Sequence, residues 1–100
     1  MIESLEKMLA KGVDNSLLRF GLGKAYLDQG NGALAAEHLA RCVALDAGYS
    51  AAWKLLGKAY KSTENLAEAR RAWEQGIEAA RSHGDKQAEK EMAVFLRKLG

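Results

Sequence analysis

Gly21-Leu22-Gly23-Lys24 is the stretch of this chain that comes nearest to a phosphate-binding loop. Such a loop requires G-x4-G-K-[ST], so that backbone amides cradle the phosphates and a hydroxyl reaches magnesium. Leu18 stands where its first glycine belongs and Ala25 follows the lysine, so the nucleotide reading fails. His38 and Cys42 lie four residues apart, a spacing that puts both on one helical face within reach of a shared metal. No second pair of ligands accompanies them, and Cys42 falls on an apolar stripe as a small core residue, so no metal site is expected. His83 precedes Gly84 in a turn with no carboxylate arranged to make it a base, and reads as a solvated loop histidine. Glu64 and Glu68 beside Arg70 and Arg71 read as surface ion pairs rather than acid–base chemistry. Neither a catalytic centre nor a cofactor is expected. What remains is a set of lysines: Lys54, Lys58 and Lys61 at i, i+4 and i+7, with Phe20, Lys24 and Leu27 at the corresponding places upstream.

Those positions need helices to hold them. Apolar residues recur at helical spacing along nearly the whole chain, and no stretch alternates as a strand would. Six helices are predicted. The first spans Glu3–Lys11, with Ile2, Leu5, Met8, Leu9 and Val13 on one stripe. The second follows a break at Asp14-Asn15-Ser16, with Ser16 as its expected N-cap, and stops at Gln29-Gly30-Asn31-Gly32, where two glycines allow a left-handed backbone. The third ends near Asp46-Ala47-Gly48, the fourth runs from Ser50 to about Ser62, the fifth closes at Ser82-His83-Gly84, and the last spans Asp85–Lys98. Connections of a few residues make neighbouring helices antiparallel hairpins, so the fold class is all-α.

Composition bounds the rest. One hundred residues, 48% hydrophobic and 28% charged, make one folded domain rather than a disordered chain. Lysine and arginine number 15 against 13 acids, too even a balance for a dedicated nucleic-acid binder. Residues 49–100 hold ten basic and seven acidic groups, yet without a dense cluster or aromatics placed for base stacking, so nucleic acid is the weakest of the partner readings. No apolar run approaches the roughly 20 residues that span a bilayer. The acidic start, with no apolar core behind it, is unlike a signal peptide, and the lone cysteine, Cys42, fits a reducing compartment. A cytoplasmic location is expected.

Laying the chain on itself exposes a repeat. Leu22-Gly23-Lys24-Ala25-Tyr26 returns as Leu56-Gly57-Lys58-Ala59-Tyr60, 34 residues later. Ser16 and Ser50, Asn31 and Asn65, Ala33 and Ala67, and Ala35 and Ala69 match at the same offset. A 34-residue helix–turn–helix period of this pattern resembles the tetratricopeptide repeat, whose signature is W-x2-L-G-x2-Y, then A-x3-F, then P. The second copy supplies Trp53, Leu56, Gly57, Tyr60 and Ala69, with Trp73 in the phenylalanine place; the first supplies Leu22, Gly23, Tyr26, Ala35 and Leu39, with Arg19 replacing the tryptophan. Ala47 and Arg81 stand where the closing proline is usual. The resemblance covers Ser16 to His83 and implies a short right-handed α-solenoid. Its expected parts are an N-terminal helix (1–15), two repeats (16–49 and 50–83) and a C-terminal capping helix (84–100). A repeat hairpin cannot bury its own face, so the flanking helices are expected to complete the stack.

The resemblance further implies a concave groove, lined by the first helix of each repeat, that holds an extended peptide or a partner's helix. Phe20, Lys24, Leu27, Lys54, Lys58 and Lys61 are the candidate contacts: apolar at one end, basic at the other, suited to an acidic partner. The plainer readings are a solvated lysine face, and Phe20 and Leu27 packed on the N-terminal helix. The family's clamp of lysines and asparagines around a C-terminal carboxylate does not carry over, because Lys24 and Leu55 occupy its asparagine places. A structural role is the alternative, since two repeats are few: a homodimer formed end to end or through Leu17, Phe20 and Leu27.

Overall fold

A computed structural model describes residues 1–100 and contains six α-helices: α1 (Ile2–Ala10), α2 (Ser16–Asp28), α3 (Gly32–Leu45), α4 (Ser50–Ser62), α5 (Leu66–His83) and α6 (Lys86–Leu99). The starts are set by short polar side chains. Asn15, Asn31 and Asp85 accept from the amides of Leu18, Leu34 and Ala88, satisfying donors that the first helical turn leaves unpaired. Asn15 thus takes the capping role expected of Ser16, which is already the first residue of α2: the asparagine carbonyl reaches the third amide on while its own backbone stays extended. The ends share one device. After α1, α2, α4 and α5 the chain turns through a left-handed residue, Gly12, Gly30, Glu64 and Gly84, and the next amide bonds back to a carbonyl in the last turn. Of the two glycines read as a left-handed pair, only Gly30 turns this way. Gly32 lies inside α3, small because Ser62, Thr63 and the carbonyl of Ala59 crowd its α-carbon.

Each hairpin is zipped by a glycine against a large side chain. A β-carbon on Gly23 would run into Leu39, and one on Gly57 into the indole of Trp73. Leu39 and Trp73 are themselves 34 residues apart and almost wholly buried, so the same close approach is built twice. The facing alanines, Ala35 and Ala69, have no exposed surface, consistent with helix axes drawn together by small side chains.

The hairpins then stack. Alongside the contacts between neighbours in sequence, α2 touches α4 and α4 touches α6, whereas the backbones of α3 and α5 stay further apart. The array therefore curves, with α2, α4 and α6 on the inner wall and α3 and α5 splayed outside. One core of nine buried residues joins α3 to α4 and takes in Ala72 of α5, and a second, centred on Trp73 and Met92, joins α5 to α6; Trp53 and Tyr60 bridge both. The last helix occupies the place of a third first-of-pair helix, displaced by two residues. Leu22, Leu56 and Met92 are buried equivalents at steps of 34 and then 36, as are Leu18, Ala52 and Ala88. At the other end α1 buries no residue completely and leans on α2, with Leu5 against Gly21.

Candidate protein-binding groove

The inner wall carries the six side chains singled out from the sequence, and they divide into three groups. Lys24, Lys58 and Lys61 are exposed, and no carboxylate lies within ion-pairing distance of any of them. The Lys58 ammonium is nonetheless placed: it stands 5.0 Å from the centroid of the Phe95 ring on α6, at cation–π range. Phe95 in turn rests on Trp73, with ring centroids 5.2 Å apart.

Lys54 is different. Its ammonium donates to Glu91 Oε1 at 3.0 Å, so α6 already supplies it with a carboxylate. Trp73 Nε1 donates to the Lys54 carbonyl at 3.1 Å, fixing this turn of α4 to α5 as well. Phe20 and Leu27 are half-buried. Phe20 stacks on Tyr49 with ring centroids 4.8 Å apart and planes 20° apart, and both residues pack against the first core. The expected packing on the N-terminal helix is only part of their environment. Leu5 of α1 and Phe20, Gly21, Lys24 and Asp28 of α2 enclose a small cavity of about 160 Å³.

Several residues at the wall's edges were not among the sequence-derived candidates. Glu91 and Phe95 reach the groove because α6 is the next inner helix, a relation hidden by its 36-residue step. A 34-residue offset passes over it, and only the matches at 36, Ala52 with Ala88 and Leu56 with Met92, could have found it. At the other edge, Arg19 occupies the tryptophan place and builds a polar cluster. It holds Asp14 through two hydrogen bonds of 2.8 and 3.1 Å and meets His38 Nδ1 at 3.0 Å, while Glu6 Oε1 lies 3.8 Å from the other imidazole nitrogen. The Arg19 hydrogen bond holds the Asp14 carboxyl below the usual carboxylate range. Burial, reinforced by the Arg19 charge, pulls the His38 imidazole below its ordinary value.

The remaining chemistry-bearing groups have structural partners. Cys42 is buried and donates to the Ser16 carbonyl at 3.2 Å; burial first, and then Asp46, push its thiol up to about 11, leaving it protonated near neutrality. His83, read as a loop histidine, is the last residue of α5: its Nδ1 lies 3.0 Å from the Ala79 carbonyl and its ring lies against Gly48. The wall thus presents half-buried apolar side chains beside exposed ammonium groups.

Tetratricopeptide repeat family models match residues 2–50 and 27–89. The chain is 72% identical over 99 residues to the TPR repeat-containing protein PA0015 of Pseudomonas aeruginosa, covering 99% of this chain and 94% of that one. Among solved structures, the protein BPP2914 of Bordetella parapertussis is 49% identical, with a TM-score of 0.84 over 99% of this chain and 86% of that one. A tetratricopeptide repeat domain protein from Salinibacter ruber is 26% identical, with a TM-score of 0.78 over 86% of this chain and 96% of its own. The chain belongs to the tetratricopeptide repeat family. Its fold is an all-α helical repeat solenoid, and repeats of this family serve in general as protein–protein interaction modules rather than as enzymes. No helix is long and apolar enough to cross a membrane.

Proposed function

We propose that this chain is a small cytoplasmic adaptor that binds an acidic peptide or helix of another protein along its inner wall. Its units are an N-terminal helix (1–15), two repeats (16–49 and 50–83) and a capping helix (84–100). The observation that carries the reading is the set of three unpaired ammonium groups, Lys24, Lys58 and Lys61, on adjacent inner helices. Exposed like charges on one wall favour an anionic partner that neutralises them, and such attraction is screened by salt. Phe20 and Leu27 supply apolar surface at one end, while Lys54 belongs to the same face with its charge partly offset by Glu91.

Reversing charge at Lys58 and Lys61 together should weaken an acidic peptide about tenfold or more at low salt, and the difference should shrink as salt rises. Titration calorimetry at two ionic strengths reads this directly; an affinity indifferent to both changes would remove the assignment. A second reading, self-association, is favoured by one feature: Leu17, on the Lys24 side of α2, is 71% exposed. Sedimentation at two concentrations, with Leu17→Glu beside the native chain, separates a homodimer from a monomer.

A further inference from the structure

Two successive helix pairs allow one part of this protein to be compared with another. On the outer side, the gap between α3 and α5 opens into a crevice of about 190 Å³ over Tyr60 and Ala72, with Val43 and Trp53 in its walls. A shift of 34 residues places Tyr26 where Tyr60 stands and His38 where Ala72 stands. In that earlier position a ring fills the space. The His38 imidazole lies parallel to the Tyr26 ring, 4° between planes and 5.6 Å between centroids. Arg19 meets one ring nitrogen at 3.0 Å, and Glu6 faces the other at 3.8 Å.

The later position keeps the aromatic floor and lacks the ring. Its mouth carries one carboxylate and one guanidinium, Glu68 and Arg71, 3.5 Å apart. They are the same two kinds of group as the Glu6 and Arg19 that flank His38 but come from other positions, because the 34-residue shift puts Ala40 and Trp53 in the places of Glu6 and Arg19. Glu68 also faces the Tyr60 phenol, whose ionisation is pushed up first by burial and then by that negative charge.

We propose that this crevice receives the imidazole side chain of a histidine on a partner polypeptide, which stacks on Tyr60 above Ala72 with its ring nitrogens toward Glu68 and Arg71. Parallel-offset stacking at this spacing is a favourable aromatic geometry. An aliphatic side chain could fill the volume but would use neither the ring face nor the paired donor and acceptor at the mouth. The site lies on the convex side and is independent of the lysine wall, so the two are separable by mutation.

The probe is 4-methylimidazole, titrated into the full-length ¹⁵N-labelled chain at about pH 8, where the imidazole is neutral. Saturable shifts in the millimolar range are expected at Val43, Tyr60, Ala72 and the Trp53 indole. Ala72→His should place a ring of the chain's own in the crevice, abolish those shifts and show ring-current displacement of the new imidazole protons. Arg71→Ala should weaken the probe about threefold, as befits a mostly exposed group. Circular dichroism confirms folding, and Ala72→Leu serves as a second blocking variant if the histidine substitution disturbs it. Absent shifts, shifts that survive in a folded blocking variant, or shifts centred on Lys24 and Lys58 would each overturn the proposal.

Discussion

Glu64 sits in a backbone conformation that suits it poorly. Its φ of 62° is the left-handed region, reached at the equivalent turns by Gly12, Gly30 and Gly84. A side chain there costs about 1 kcal/mol relative to glycine. Glu64→Gly should therefore raise stability by about 0.5–1 kcal/mol in urea unfolding, despite glycine's larger loss of chain entropy. The opposite change, Gly57→Ala, should cost about 1–3 kcal/mol by driving a methyl group into the Trp73 indole. Gly23→Ala should cost less, since Leu39 has rotatable bonds with which to yield. His38 adds a pH dependence. Its imidazole is depressed in the folded state, so below about 6.5 the unfolded chain binds the proton more readily. Stability from this group is complete above that pH and is lost as pH falls through it; His38→Gln should flatten the denaturation midpoint between pH 7 and 5. The close-packing glycines were legible in the sequence because the repeat printed them twice. Asn15 was not: Asn15 and Ser16 are both good capping residues, and only the backbone decides which one stands outside the helix.

At the scale of the helix, α6 does more than cover the end of the stack. Glu91 neutralises Lys54 and Phe95 positions Lys58, so the last helix sets the charge of the wall it adjoins. Glu91→Gln should release Lys54 and strengthen binding of an acidic peptide about two- to fivefold, the range of a partly exposed ion pair, with the gain lost at high salt. All six helices were readable from apolar spacing, within a residue or two at each end. The relation of α6 to α4 was not readable. A two-residue extension of the connection breaks the numerical echo while leaving Met92 in the socket that Leu22 and Leu56 fill elsewhere. Burial follows geometry rather than sequence count, so an offset search misses a shifted member that packing still accepts.

For the whole molecule, the curved stack follows from the 34-residue step alone, because a hairpin with one apolar face must lean on another. The candidate wall was legible to the same extent: the helices that bear the lysines were identifiable, but the carboxylate paired with Lys54 belongs to a distant part of the chain. Arg19 shows the same limit at the other end. As a departure from the tryptophan pattern it marked the first repeat as unusual, yet its partners Asp14 and His38 came from two other elements and could be found only in three dimensions. The proposed self-association belongs to this scale too: Leu17→Glu should abolish any concentration-dependent sedimentation while leaving thermal unfolding within about 0.5 kcal/mol of the native chain, as for an exposed site.

α1 has no completely buried residue, whereas α6 is pinned by Met92 and Ala88. A chain held only by adjacent segments can come apart at one extremity without disturbing the other. Amide protons of Leu5 to Leu9 should accordingly trade with deuterium long before those of Met92 to Leu96. Each such excursion would lift Leu5 from the hollow beside Phe20, exposing apolar surface at that extremity before anything near Met92 is disturbed.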